Sequence, residues 1–311
     1  MEKCFFCLII ISTLFCCDLI VPEVPNTPGN IWESYAMPEN RRWSALAYGN
    51  NVFVAVATQS SSAAYSSDGI NWMPSSLPRE AHWNSITFGK GIFVAVAPSC
   101  AISATSQDGI IWTESSLPRY SSWRSVTYGN GIFVTVSDID ARGAISTDGI
   151  SWTDVTLPND DYWNSVTYGN NVFVAVATQS SSAATSLNGV NWVKRTLPSM
   201  LPNHDNWNSV AYGNGTFVAV VGQNILGATS PDGITWNTCS LPLSDHWKTV
   251  AYGDNNFVAI SYNSNSAAVS EDGLNWSRRI LPIIAGWTSV IYGKNRFVAV
   301  GYGDLSLMSQ N

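Results

Sequence analysis

Tryptophan recurs along this chain at a fixed interval. Trp43, Trp83, Trp123 and Trp163 stand 40 residues apart, Trp207 follows after 44, and Trp247 and Trp287 resume at 40. A second series, Trp32, Trp72, Trp112, Trp152, Trp192, Trp236 and Trp276, precedes each of these by 11, or once by 15. Together they use all 14 tryptophans. A period near 40 filled by strand-like segments is the signature of propeller blades, small sheets that bury their faces only against one another. The repeat outranks length, since 311 residues alone would suggest two domains.

Each unit has the same grammar, as in "WNSVTYGNNVFVAVATQSSSAATSLNGVNWVKRTLP" from Trp163. A strand from Trp163 to Tyr168 runs into the turn residues Gly169-Asn170-Asn171, and "VFVAVA" is a β-branched and aromatic second strand. A Ser-rich loop and a small-residue strand follow. Asn188-Gly189, Asp-Gly in other copies, predicts a two-residue type I′ hairpin with both central residues at positive φ. A fourth strand from Trp192 should stop at Leu197-Pro198, where the missing N–H cannot extend a ladder. Four antiparallel strands make one blade.

The unit that starts at Trp287 has three strands and ends part-way through the recurring phrase, at Ser309-Gln310-Asn311. Gly29-Asn30-Ile31-Trp32 supplies the remainder: joined, the two ends spell S-Q-N-G-N-I-W. The expected fold is therefore all-β, a seven-bladed β-propeller over residues 29–311, with the N-terminal strand completing the seventh blade. Such a clasp removes free sheet edges.

Residues 1–28 read as a signal peptide and short linker. Their apolar run from Phe5 to Cys17 is shorter than the roughly 20 residues needed to span a bilayer, and a Pro-rich polar stretch follows. The expected location is secreted or cell surface, extracellular or periplasmic, with no transmembrane span after signal removal. Lipoprotein anchoring at Cys16 or Cys17 is the alternative. Four of the six cysteines lie in this leader, and Cys100 and Cys239 occupy non-equivalent repeat positions, so no disulfide framework is indicated. The formal charge is -7 and basic residues are scattered, which argues against a nucleic-acid partner.

The phrase Ser-x-Asp/Asn-Gly-x-x-Trp, as in Ser146-Thr147-Asp148-Gly149-Ile150-Ser151-Trp152, resembles the BNR or Asp-box repeats of sialidase-like seven-bladed propellers. The resemblance covers residues 29–311. Here Gly follows Asp directly, so the box is one residue short. The resemblance implies a propeller; in sialidases it would also imply an arginine triad, a Tyr/Glu nucleophile pair, an Asp and an Arg-Ile-Pro sequence. No Arg-Ile-Pro exists here, and the arginines mostly sit at unlike repeat positions.

The box residues Asp68, Asp108, Asp148, Asn188, Asp232 and Asp272 are expected to be structural, because Asn replaces the carboxylate without disturbing the phrase. Binding is expected where copies differ, in the loops between second and third strands and between each Pro and the next Trp, which strand alternation puts on one face. These supply Asp138, Asp140, Arg142 and Tyr162, with His82 and His246 at one shared position before Trp, and one lengthened loop from Ser199 to Asn206. The histidines lie in distant repeats, so no metal is expected, nor any cofactor. "YGNNVFVAVATQSSSAA" occurs unchanged at Tyr48 to Ala64 and at Tyr168 to Ala184, which argues that these two loops do not make different specific contacts. The leading expectation is an exported, non-enzymatic binding or adhesion module, monomeric, holding a glycan or protein ligand. The alternatives are a secreted glycosidase or sialidase-like hydrolase, and a structural cell-surface repeat protein.

Overall fold

A computed structural model describes residues 31–199 and 205–310. The leader and anchor expectations over residues 1–28, part of the lengthened loop, and Asn311 lie outside the described residues. Within them every regular element is a strand and none is a helix. The strands form several four-stranded antiparallel sheets in chain order; in one, Tyr162–Gly169, Val172–Thr178, Ser182–Ser186 and Val193–Thr196 pair consecutively. A single larger sheet contains both ends of the described chain. The long strand Trp32–Gly49 pairs through Trp32 to Ala36 with Arg296–Ser309, and through Trp43 to Gly49 with Val52–Ala57.

Turn chemistry explains the first hairpin of each repeat. Gly169 faces Val172 across a two-residue loop, and both loop residues have positive φ, 46° at Asn170 and 60° at Asn171. This is the type I′ geometry that favours Asn and Gly. The Asp-Gly phrase differs from expectation. Gly149 has φ 75° but Asp148 is not among the positive-φ residues, so the hairpin is not type I′. The turn instead closes by side-chain capture: Asp148 Oδ1 accepts from Ile150 N and Ser151 N, each at 2.8 Å, and Gly149 N donates to Ser146 Oγ at 2.8 Å. The Trp152 indole then donates to Gly149 O at 3.2 Å. Asn188 makes the same two backbone contacts, to Val190 N and Asn191 N.

Proline also behaves differently from expectation in several repeats. The strand Met73–Ala81 continues past Pro78, because its pairing jumps from Ser62↔Ser76 to Ser60↔Ala81. Pro78 falls in that irregularity, where the ladder asks it for no N–H.

Burial grades across each sheet. Val172–Thr178 is buried at all but its last residue, because both of its faces are covered, whereas the outer strand Val193–Thr196 is largely exposed. The tryptophans Trp43 to Trp287 that begin each repeat, and the phenylalanines Phe53, Phe93, Phe133, Phe173 and Phe217, are fully buried. Burying one such indole contributes about 4–6 kcal/mol of apolar transfer free energy before the entropy of ordering it is subtracted.

Neighbouring sheets are brought together by an absent side chain. A Cβ added to Gly169 would lie 2.0 Å from the ring of Tyr212 in the next repeat, and one on Gly213 would lie 1.9 Å from Tyr252. The same contact joins Gly293, near one end of the described chain, to Tyr48 near the other. Each ring also tilts against its own repeat's phenylalanine, as Tyr168 does on Phe173 at a centroid distance of 4.7 Å.

The captured carboxylates titrate low. Backbone N–H groups of Ser151 and Ile150 hold Asp148 at about 2. Burial opposes ionisation of Asp68 and Asp272, but hydrogen bonds from Asn71 and Asn275 outweigh it and hold both at about 2. A depressed carboxylate stabilises the fold above its ordinary value of 3.8, and that contribution is lost as pH falls towards 2. Asp148→Asn should therefore cost less than about 1 kcal/mol at neutral pH, since it keeps the backbone acceptor, and should shrink the loss of stability between pH 4 and 2. Gly149→Val should cost about 3 kcal/mol or more, from forced positive φ and from Val94 Cγ2, 2.8 Å from the new Cβ. Urea unfolding of both variants across this pH range checks the pair; equal losses would assign the carboxylate a further role.

Candidate functional site: a cation-bearing central cavity

The first strand of six repeats carries an irregularity at one recurring place. Trp163 pairs with Ala177 and Ser165 with Val176, which leaves Asn164 as an extra, unpaired residue. The same bulge recurs after Trp43, Trp123, Trp207, Trp247 and Trp287. A bulge turns its extra side chain out of the alternation of the strand. Here it turns into a cavity of about 530 Å³ to which every repeat contributes at this position. The residues there are Ser or Thr in two repeats (Ser44, Thr288), Asn in three (Asn84, Asn164, Asn208) and a cation in two (Arg124, Lys248).

The small members of this ring hold the next repeat. Asn208 Nδ2 donates to Trp247 O at 2.8 Å, Thr288 Oγ1 to Trp43 O at 2.7 Å, Ser44 Oγ to Trp83 O, and Asn164 Nδ2 to Asn208 O at 2.8 Å. One residue later a serine hydroxyl accepts from the following repeat: Val166 N donates to Ser125 Oγ at 3.1 Å, and Leu46 N to Ser289 Oγ at 3.1 Å. Innermost strands would otherwise leave these groups unpaired, at about 1–3 kcal/mol each where buried.

Arg124 and Lys248 break this pattern. The Arg124 Nε donates to Asn164 Oδ1 at 3.1 Å and lies 3.5 Å from Asp138 Oδ2, but its terminal nitrogens make no hydrogen bond among the described residues. The Lys248 amine has neither a hydrogen bond nor an ion pair there, although the side chain is only partly exposed. Burial, reinforced by the Arg124 guanidinium, depresses it to about 8. Two cations thus face one cavity from repeats three apart, inside a protein of net charge -7.

The candidates read from the loops are only partly gathered here. His82 lines the cavity, with Nδ1 3.4 Å from Thr58 Oγ1. Asp138 lies beside Arg124, and its other oxygen, Oδ1, is buried with no partner. His246 stands edge-on to Tyr262 at 5.6 Å; burial and the nearby Lys248 lower its pKa. Three others point elsewhere. Asp140 accepts from Ser121 Oγ at 3.1 Å, Arg142 reaches outward to Asp154, which Arg119 also holds, and Tyr162 is exposed in a strand paired with Thr178. Among the described residues no cluster of three His, Cys, Asp or Glu side chains could hold a metal ion.

The two identical loops find different partners. Gln59 Oε1 accepts from Arg42 at 3.1 Å and lines the cavity, whereas Gln179 is bonded through its N–H to Asn206 Oδ1. Arg42 also lies over the Tyr302 ring, 5.5 Å from its centroid, extending positive charge to the rim. Sequence reasoning missed Arg124 and Lys248 because it sought variation in loops. The signal was in a strand, in the changing residue directly after each first-series tryptophan.

No family model matches the sequence, and no curated protein does. Solved structures do. Selenomethionine-substituted virginiamycin B lyase from Staphylococcus aureus is 12% identical with a TM-score of 0.81, covering 90% of this chain and 99% of its own. YCF48 bound to D1 peptide is 15% identical with a TM-score of 0.72, covering 94% and 100%. The WD40 β-propeller domain of Doa1 is 13% identical with a TM-score of 0.70, covering 91% and 97%. This chain is a β-propeller. The likeness is one of fold, and the cavity ringed by innermost strands is the propeller's central channel.

Removing the unpaired amine should be visible in stability. A lysine whose folded pKa lies near 8, below its ordinary 10.5, binds fewer protons folded than unfolded across that interval, so stability should rise as pH increases from about 8 towards 10.5. Lys248→Met should raise Tm at pH 7 and abolish most of that rise. Thermal melts of both proteins from pH 6 to 10.5 check it, and a lower Tm for the variant at pH 7 would mean that the amine has a stabilising partner.

Proposed function

We propose that this chain is an exported, non-enzymatic binding module, acting as a monomer, whose channel mouth holds a glycan or protein ligand. The observation that carries the reading is the bulged ring. Five of its members are short polar residues, and the two that abandon that type are cations lining the same cavity, Lys248 with no partner among the described residues and Arg124 with its terminal nitrogens free. A framework needs sameness, so the departures are where selection for a ligand would act. Virginiamycin B lyase and peptide-bound YCF48 illustrate that this fold hosts both catalysis and recognition, so the distinction rests on the site. Here no carboxylate lines the cavity among the described residues, and the half-buried Asp138 is already beside Arg124, whereas glycoside hydrolysis uses a pair of free carboxylates.

The proposal includes the architecture that positions this mouth: seven blades, closed by the strand from Trp32 as the outer strand of the last blade, with turns related to shortened Asp-boxes. Support comes from the pairing of Trp32 with Ser309 and from the seating of Tyr48 on Gly293.

Two experiments test these readings. On a glycan array and a panel of immobilised peptides, the wild-type protein should retain at least one ligand, and Asn84→Trp, which obstructs the cavity, should weaken that binding more than tenfold with Tm changed by only a few degrees. Fluorogenic glycosides should not be turned over; turnover abolished by a single carboxylate substitution would replace this reading with the hydrolase. For closure, a protein lacking residues 1–40 should aggregate or melt far earlier than one lacking residues 1–26, because only the first loses the strand that covers Arg296–Ser309. Identical melting of the two deletions would remove the clasp.

A further inference from the structure

We propose that Arg124 and Lys248 form a subsite for a singly charged oxyanion, a carboxylate or a sulfate ester, carried by whatever ligand the channel mouth holds. The inference rests on the binding reading above and specifies its chemistry.

The two cations line one cavity from repeats three apart, and only Arg124 has a carboxylate beside it, Asp138 at 3.5 Å. Arg124 is oriented by a relay that reaches the neighbourhood of Lys248. Its Nε donates to Asn164 Oδ1, Asn164 Nδ2 donates to Asn208 O, and Asn208 Nδ2 donates to Trp247 O, the carbonyl directly before Lys248. That relay occupies Nε and leaves the terminal guanidinium nitrogens without hydrogen bonds, so the fork is held in place with its donors free. An oxyanion bridging it to the Lys248 amine would satisfy both cations at once.

Charge sets the valence. Arg124 and Lys248 contribute two positive charges, and Asp138 Oδ2, 3.5 Å from Arg124 Nε, contributes one negative. His246 is held towards its neutral form by burial and by Lys248, while Asp245 is spoken for by Ser261 Oγ at 2.7 Å, Ser264 Oγ at 2.9 Å and the His246 N–H at 2.7 Å. Arg42 also lines the cavity, and the hydrogen bonds to Asp245 hold its charge without cancelling it, so the tally is three positive charges against two negative, an excess of one that matches a carboxylate or sulfate ester better than a dianionic phosphate. Bringing such an anion in also relieves the repulsion between the cations, which is what depresses the Lys248 amine after burial itself.

The test uses sodium acetate and sodium methyl sulfate as probes for the two sources of this chemistry, with inorganic phosphate for comparison, at constant ionic strength. Binding is read from the chemical shift of the Lys248 side chain and by calorimetry on the full chain. At least one of the first two probes should bind saturably at pH 7, more tightly than phosphate. Lys248→Met should reduce the affinity at least tenfold, Arg124→Gln should reduce it several-fold, and Lys248→Arg should restore most of it. Between pH 7 and 9 wild-type affinity should fall about tenfold as the amine loses its proton, whereas Lys248→Arg should show no such fall. Circular dichroism establishes that each variant is folded. Absence of saturable binding by both probes, or binding indifferent to Lys248→Met, overturns the subsite. A ligand retained on the arrays and released by Asn84→Trp, but unaffected by Lys248→Met, would overturn it while leaving the binding reading intact.

Discussion

The structure depends on an aromatic ring lying where a side chain is missing. In repeat after repeat the glycine that ends the innermost strand receives the ring of the following repeat, so closely that a single methyl group would overlap it. Nothing larger than Gly permits the approach, and a flat aromatic ring fills the space it leaves. This contact sets the distance between sheets. The buried second strands, the tilted Tyr–Phe pairs and the fully buried indoles follow from a spacing that excludes water from both faces.

Such spacing leaves the innermost strands with a free edge towards the centre. The edge is satisfied by side chains rather than by another strand: hydroxyls and amides of one repeat meet the backbone of the next. The bulge makes this feasible, because it points the residue after each tryptophan inward instead of into the sheet. The same device that completes the backbone hydrogen bonding also furnishes the channel with its chemistry. Where a repeat gives up the stitch for a long cation, as at Lys248, it exchanges a modest hydrogen bond for a charge exposed to the cavity.

Much of the fold was legible in the sequence because it is written repeatedly. The tryptophan interval predicted the sheets, the "VFVAVA" segments predicted the buried strands, and the Asn-rich dipeptides marked the first hairpin. The divided phrase at Ser309 and Trp32 anticipated their pairing. Asp148-Gly149 misled, because a short side chain accepting two N–H groups closes a turn without the positive φ at Asp that the dipeptide suggested. Pro78 misled as well, since register can slip around a missing donor. At the mouth, Arg142 looked like a ligand group but is drawn outward by Asp154, a partner on the next strand of its sheet that spacing alone does not reveal. Lys248 went unnoticed for the opposite reason: only a bulge, which pairing reveals and sequence does not, turns that position inward.

The side-chain stitches at the bulge run one way. Asn208 donates forward to Trp247, Ser165 receives from Val210 ahead of it, and Gly213 accepts the ring of Tyr252 from the repeat that follows. These bonds therefore have a sense along the chain: polar side chains at and beside the bulge of one repeat serve the backbone of its successor. A substitution at Asn208 removes the bond it donates to the backbone of the next repeat along the chain, while the backbone of Asn208 keeps the bond it accepts from Asn164 behind it.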